Sequence, residues 1–278
     1  MKRVLNFGAV SPFSVSLERL NVSTGSPLRN TFSHIHEGCE IYVNLSGDVS
    51  FMVEQNVYPI EYGDIIITKP YEYHHCIYNA DEEHEHYWMT FPAVQNEALF
   101  SVFLLRQNGQ GNLIRLPGDR RERFLRLCER LIAIDDGQPV TAFALFLELV
   151  RFIEDGAKRY GVTADAEGLP SRFAAMLAYM NEDFASIANV SELAKRFHVS
   201  VSTMERYFKT YLDVTPKRYL ENKRLSNACR LLHQNASVTQ ACFDSGFSDY
   251  SHFISIFKKH FRVTPLQYKK LGEENDKS

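Results

Sequence analysis

The sequence predicts an α+β protein of two domains, an N-terminal β-barrel followed by two helices and a C-terminal all-α domain. Three observations carry this prediction. Short β-rich runs alternate with turn signals up to about residue 92, helical periodicity begins at Gly118, and the last hundred residues read as helices throughout. The resulting boundaries are 1–117 for the barrel, 118–160 for the two helices, 161–170 for a linker and 171–272 for the all-α domain.

The strands are predicted from runs of β-branched and aromatic residues. They lie at Ile41–Leu45, Val49–Val53, Asp64–Thr68 and His86–Phe91, separated by Gly, Asn, Asp and Pro. Several short strands at this spacing indicate a sandwich or a barrel.

The two helices after the barrel carry apolar stripes. Between Phe124 and Ile132 the apolar residues recur at intervals of three and four, and a second apolar helix follows from Val140 to Tyr160. We expect part of the second stripe to pack against the barrel. The segment is also our candidate for a dimerisation surface, and we expect a homodimer. Residues 161–170 (GVTADAEGLP) are small, polar and rich in turn formers, which favours a linker.

Composition limits the classes of protein. The five cysteines are odd in number and never spaced C-x-x-C, which argues against a disulfide framework and against a structural zinc site. The first residues lack the continuous apolar run of a signal peptide, and no stretch approaches the length of a membrane span. We therefore expect a cytoplasmic protein with no membrane partner.

The net charge of −3 conceals an asymmetry between the two halves. Residues 1–170 hold 15 Lys and Arg against 23 Asp and Glu, whereas residues 171–278 hold 16 against 11. An acidic half joined to a basic half indicates that only the second half meets a polyanion.

The C-terminal domain contains an internal repeat. A shift of 49 positions superimposes Phe208 on Phe257, Lys209 on Lys258, Val214 on Val263, Thr215 on Thr264, Pro216 on Pro265 and Tyr219 on Tyr268. So many coincidences in one register indicate a duplicated unit.

Each copy reads as a helix-turn-helix. In the first copy, at 191–212, a short amphipathic helix and a tight turn precede a second helix capped by Ser200. In the second copy, at 239–262, Gly246 suits the turn and Asp249 caps the second helix. A long linker helix that starts with Pro216 joins the two copies.

These residues resemble the AraC/XylS family of transcription regulators. Residues 246–270 (GFSDYSHFISIFKKHFRVTPLQYKK) fit that family's C-terminal pattern closely, and the resemblance extends back to about Arg172. It implies a DNA-binding protein that is not an enzyme and needs no cofactor for this role. Its partners would be double-stranded DNA, a small effector and RNA polymerase.

The resemblance also implies that each second helix enters the major groove of DNA. The positions that match base-reading residues are Ser202, Glu205 and Arg206 in the first copy and Ser251 and Ser255 in the second, with His252 beside them. An arginine can bind guanine through two hydrogen bonds, and a glutamate can accept one from cytosine. Lys209 and Lys258 are expected to meet phosphates, and the alternative for every one of these positions is a solvated helix face.

A second pattern lies in the N-terminal half. Residues 34–40 (HIHEGCE) spell H-x-H followed by a glutamate, with Gly47 further on, and Gly63, Pro70, His75 and Asn79 follow at suitable spacing. The pattern looks like the two cupin motifs, with Glu72 where the second motif has glycine. On a strand, His34 and His36 point to the same face. If that face lines the barrel, His34, His36, Glu40 and His75 can converge as three imidazoles and a carboxylate, a ligand set for a first-row metal.

Three interpretations of this set stay open: a metal site, direct contact with an organic effector, or histidines that only fill the core. Tyrosines are dense in the same region, and with Tyr42 and Trp88 they offer aromatic planes with polar edges. A carbohydrate effector is the leading hypothesis. The competing classes are a metal-dependent cupin enzyme and an architectural DNA-binding protein, and the sequence leaves activation or repression open.

Overall fold

The computed structural model describes residues 2–7, 11, 14–23, 35–92, 98–135, 137–162 and 169–275, with side chains up to residue 270. The chain divides into two compact units, Met1–Asp165 and Ala166–Ser278, referred to below as unit 1 and unit 2. Unit 1 holds the strands and unit 2 is all-helical, so the predicted α+β fold class is confirmed.

The described part of unit 1 forms two antiparallel sheets. Its strands are β1 (Lys2–Asn6), β2 (Ser14–Val22), β3 (Gly38–Asn44), β4 (Val49–Val53), β5 (Asn56–Ile60), β6 (Ile65–Thr68), β7 (His74–Tyr78), β8 (His84–Pro92), β9 (Leu113–Ile114) and β10 (Gly161–Val162). The larger sheet has the order β1-β2-β8-β3-β6-β9-β10, and the smaller one has the order β5-β4-β7. The described residues hydrogen-bond into two separate sheets, so the predicted barrel is not closed within them.

The two faces of the larger sheet contact different apolar clusters, because successive side chains along a strand point to opposite faces. In β3, Cys39, Ile41 and Val43 join the main core, which the sheet shares with the helices of unit 1. The alternate residue Tyr42 joins a second apolar cluster with Phe51 and other residues of the smaller sheet. Strand β3 is therefore buried on both faces.

Among the described residues of unit 1, three helices cover the core face: α1 (Ser101–Leu104), α2 (Gly118–Ala133) and α3 (Pro139–Tyr160). The stripe of α3 lies mostly inside unit 1, with Phe146 and Ile153 fully buried and Phe143 partly buried. The predicted packing of part of this stripe against the strands is thus confirmed. A dimer surface on this segment stays a prediction.

The predicted linker begins too early. Gly161 and Val162 form β10, which pairs with Ile114 and Leu113 of β9, because the chain leaving α3 extends the edge of the larger sheet. Residues 163–168 of the predicted linker lie outside the described residues.

Unit 2 consists of seven helices in the described part of the chain: α4 (Ser171–Glu182), α5 (Val190–Arg196), α6 (Val201–Leu212), α7 (Pro216–His233), α8 (Val238–Asp244), α9 (Tyr250–Phe261) and α10 (Pro265–Asn275). The capping predictions are confirmed: the Ser200 side chain accepts a hydrogen bond from the Thr203 amide, and the Asp249 side chain accepts one from the His252 amide.

The repeat has two registers. Helices α6 and α9 start 49 residues apart, as the sequence shift predicts, but α5 and α8 start only 48 apart. The turn of the second helix-turn-helix unit is therefore one residue longer than that of the first. Both turns use a left-handed residue, His198 (φ 52°) in the first and Gly246 (φ 85°) in the second.

Gly246 is required for two reasons. A side chain at its left-handed φ is strained, and a Cβ atom there would lie 2.6 Å from the backbone of Ala185, which belongs to the segment between α4 and α5. We predict that Gly246→Ala lowers the free energy of unfolding of unit 2 by at least about 2 kcal/mol, measured by denaturant unfolding of the full chain.

The matched control is His198→Gly in the turn of the first unit. Glycine removes the strain of a left-handed backbone at this position, but it also gives the unfolded chain more conformational freedom. Because the two effects oppose each other, the free energy of unfolding should change by less than about 1 kcal/mol. A Gly246→Ala protein as stable as the wild type would contradict the close packing of this turn.

Candidate functional site

Helices α6 and α9 each present a polar face to solvent. On the opposite side, Met204 and Phe208 of α6 and Phe253 and Phe257 of α9 are fully buried. The predicted DNA-contacting residues are all exposed: Ser202, Glu205, Arg206 and Lys209 on α6, and Ser251, His252, Ser255 and Lys258 on α9. The same helix periodicity that builds the core of unit 2 thus sets these side chains outward.

Two of these residues have local partners. The Ser202 hydroxyl lies 2.9 Å from the Ser200 hydroxyl, and the Lys209 ammonium pairs with the Asp213 carboxylate one turn along the helix. An exposed pair of this kind is weak, so Lys209 is available to another anion at little cost.

A cavity of about 200 Å³ lies in unit 1 between strands of the two sheets. It is lined by Glu18, Leu20, Val22, Glu40, Tyr42, Phe51, His75, Cys76, Tyr78, His86 and Trp88. Four of the six predicted pocket residues, Glu40, Tyr42, His75 and Trp88, are among them. His36 is not, and His34 lies outside the described residues.

Beside the cavity, the structure brings together His36, Glu40 and His74, whose potential ligand atoms lie within 4.8 Å of one another. The Glu40 Oε2 atom lies 3.0 Å from His36 Nε2 and 3.3 Å from His74 Nε2. The prediction named His75 in this cluster, and the structure has its neighbour His74 instead. The reason is strand alternation: successive residues of β7 point to opposite faces, so only one of the two histidines can face Glu40.

The two imidazoles govern the charge of the cluster. Burial opposes ionisation of Glu40, but the neighbouring His74 and the hydrogen bond from His36 outweigh it and hold the pKa of Glu40 well below its ordinary value. For His74 the effect of burial, which disfavours the imidazolium, is outweighed by the Glu40 carboxylate, and the pKa of His74 is raised.

Two further histidines beside Tyr42, of which His86 lines the cavity, were missed by the sequence interpretation. The His86 ring stacks on Tyr42 at 4.8 Å between centroids and on His84 at 4.8 Å, and His84 Nε2 lies 2.5 Å from the Tyr42 hydroxyl. Burial, and secondarily the nearby His84, lower the pKa of His86 to about 3, so that His86 is neutral at physiological pH. The available signal was a second H-x-H run, His84-Glu85-His86, which ends at the first residue of the predicted strand His86–Phe91.

Comparison with known protein families matches both halves of the chain. Residues 22–150 match the AraC-like ligand binding domain, and residues 193–271 match a helix-turn-helix domain. Among curated proteins, the HTH-type transcriptional activator RhaS of Escherichia coli O139:H28 is 34% identical over 122 residues, which are 44% of this chain. The matched region spans 42% of that relative's length, so less than half of it is covered.

Two solved structures are also similar. ToxT from Vibrio cholerae O395 aligns over 92% of this chain and 96% of its own, at 15% identity and a TM-score of 0.37. An AraC-type transcriptional regulator from Chromobacterium violaceum aligns over 36% of this chain and 91% of its own, at 29% identity and a TM-score of 0.33.

The fold and the two sites define a protein with a ligand-binding β-domain and a double helix-turn-helix domain. The order of the two matched domains and the similarity to RhaS show that the chain belongs to the AraC/XylS family of transcription regulators. Among the described residues, no helix has the length and apolar character needed to cross a membrane.

The Glu40–His74 pair generates a prediction about pH. The low pKa of Glu40 stabilises unit 1 above pH 4.5, its ordinary pKa, and this contribution is lost as the pH falls through the lowered value. The raised pKa of His74 stabilises unit 1 below its ordinary value of 6.5, and this contribution is lost as the pH rises through the raised value. With chelator present, Glu40→Gln should therefore destabilise unit 1 most between pH 4.5 and 6.5, by about 3–5 kcal/mol.

Denaturant unfolding of both proteins across the pH range measures this difference. Glu18→Gln is the control, because Glu18 lines the same cavity but pairs with the exposed Lys2, a contact worth about 1 kcal/mol or less. A Glu40→Gln effect that is flat across the range would mean that the pair does not determine the charge of the cluster.

Proposed function

We propose that this protein is a sequence-specific DNA-binding transcription regulator controlled by a small effector that binds in the cavity of unit 1. The observation that carries the proposal is the occurrence of two capped, outward-facing second helices and a cavity between two sheets in the same chain. Glu40 and His75 are buried polar residues that line the cavity and offer hydrogen bonds to a ligand.

The DNA-binding proposal rests on the surface chemistry of α6 and α9. Arg206 and Glu205 are exposed on α6, whereas Met204 and Phe208 are buried, and on α9 the exposed Lys258 corresponds to Lys209 of α6. The excess of basic residues after position 170 adds the long-range attraction that DNA binding needs.

For the effector we propose a neutral polyhydroxylated molecule, with a sugar as the leading class. None of the described residues that line the cavity is Lys or Arg, which disfavours a carboxylate or phosphate ligand. Tyr42 and Trp88 supply aromatic faces, and Glu40 and His86 supply hydrogen-bonding groups at their edges. The volume of about 200 Å³ suits a small molecule.

We further propose that the regulator acts as a cytoplasmic homodimer that activates transcription through contact with RNA polymerase. The similar protein RhaS is named a transcriptional activator, which supports activation. The helices α2 and α3 are the proposed dimer surface, and Val140 at the start of α3 is a large exposed apolar residue there.

The first prediction of this proposal concerns base reading. Arg206→Ala should weaken binding to the operator by about 1–3 kcal/mol while binding to random DNA changes much less, because a bidentate contact to guanine is specific to sequence. The operator is obtained by selection from a random duplex library, and affinities are measured by fluorescence anisotropy.

Lys209→Ala is the matched control on the same exposed helix face. As an expected phosphate contact it should weaken binding to operator and random DNA equally and reduce the salt dependence. Equal losses for Arg206→Ala on both DNAs would instead make Arg206 a phosphate contact.

The second prediction concerns the cavity. Trp88→Ala should raise the effector concentration for half-maximal response about tenfold, or about 1.4 kcal/mol, and leave DNA affinity without effector unchanged. The reason is linkage, since an effector acts only through its differential affinity for two states of the protein. The effector is first identified with a panel of neutral monosaccharides and polyols in a DNA-binding assay.

Tyr62→Ala is the control for this measurement, because Tyr62 is 47% exposed and does not line the cavity. Its response should equal that of the wild type. If Trp88→Ala folds and responds like the wild type, the effector does not bind in this cavity.

A further inference from the structure

The cluster of His36, Glu40 and His74 holds its two imidazole rings in a defined orientation. His36 Nδ1 lies 3.0 Å from the Gly38 carbonyl oxygen, and His74 Nδ1 lies 2.7 Å from the Glu72 carbonyl oxygen. A carbonyl oxygen can only accept a hydrogen bond, so both Nδ1 atoms carry a proton and donate it. The other nitrogen of each ring, Nε2, is thereby turned towards Glu40.

This orientation creates a site for a positive charge. A neutral imidazole protonated at Nδ1 has a lone pair at Nε2, and two such lone pairs here face the same carboxylate oxygen at 3.0 and 3.3 Å. Lone pairs and a carboxylate at these distances repel one another unless a proton or a metal ion lies between them. A metal ion of the zinc class, with ligand distances of about 2.0–2.2 Å, separates its ligands by about 3.3 Å when tetrahedral.

We propose that His36, Glu40 and His74 bind one divalent first-row transition-metal ion. Imidazole and carboxylate are the ligands that such ions prefer. The hydrogen bonds from both Nδ1 atoms to backbone carbonyls are the outer-shell contacts that fix ligand histidines in metal sites. Glu40 and His74 are fully buried, whereas the His36 side chain is 25% exposed and offers the route by which the ion enters.

The site differs from the one that the sequence motif suggests, because the ligand on β7 is His74 and not His75. Three protein ligands leave coordination positions open, and Glu40 also lines the cavity. The ion therefore lies at the cavity wall, where hydroxyl oxygens of an effector can complete its coordination. This second role rests on the proposed function, whereas the metal site does not.

The experiment is a metal titration of the full-length protein after removal of metal with chelator. Co²⁺ binding is followed by its visible absorption and Zn²⁺ binding by calorimetry at pH 7.5. We expect one ion per chain. His74→Gln and Glu40→Gln should each weaken binding by more than the 10–100-fold that loss of an outer-shell partner costs, since they remove a direct ligand.

His75→Gln is the matched control, as it removes the adjacent histidine of the same strand and should keep wild-type affinity within about threefold. His36→Gln is the second ligand variant, because its partly exposed side chain can be replaced with little effect on the core, and circular dichroism verifies the fold of each protein. Absence of stoichiometric binding by the wild type would overturn the proposal, as would loss of binding in His75→Gln with retention in His74→Gln.

Failure of the metal site and failure of the proposed function give different results. The titration contains neither DNA nor effector, so its outcome concerns the ion alone. Salt-sensitive DNA binding by the same preparations reports on unit 2, and effector response reports on the cavity. A protein that binds DNA and responds to effector but takes up no metal contradicts this inference and leaves the regulator intact.

Discussion

The burial of strand β3 on both faces is the constraint on which unit 1 depends. Cys39, Ile41 and Val43 point into the core shared with the helices, and Glu40 and Tyr42 point to the side of the cavity. A slip of one residue in its pairing with β8 would exchange these sets and place a carboxylate in the apolar core. The register of one strand thus sets both the packing of the sheet and the chemistry of the cavity.

The buried carboxylate ties that strand to a second one in the smaller sheet. Glu40 of β3 and His74 of β7 approach from opposite sheets and are both removed from solvent. Burying either charged group without a partner would cost free energy. Here each group stabilises the charged form of the other, and their contact links the two sheets. Glu40 also lines the cavity. A molecule bound there would therefore contact a residue that links the two sheets.

In unit 2 the duplicated sequence forms two helix-turn-helix motifs that are similar but differ by one residue in the length of the turn. The second helices α6 and α9 keep the 49-residue register because their buried aromatic residues, such as Phe208 and Phe257, pack in equivalent ways. The additional residue in the second turn is accommodated by Gly246, whose backbone lies against Ala185. The second helix-turn-helix is thereby packed against the segment that precedes the first.

The helices of unit 2 and their exposed faces could be predicted almost completely from the amino-acid sequence. Local signals suffice there: Ser200 and Asp249 cap their helices as predicted, and the 3.6-residue period separates buried Met204 from exposed Arg206. The strand-rich half was predicted in class, but not in its site. Whether His74 or His75 faces Glu40, and whether His84 and His86 reach Tyr42, depends on the register between strands that are far apart in the chain. Neighbouring histidines on a strand look alike in sequence but point to opposite faces, so their partners follow from strand pairings that local sequence signals do not specify.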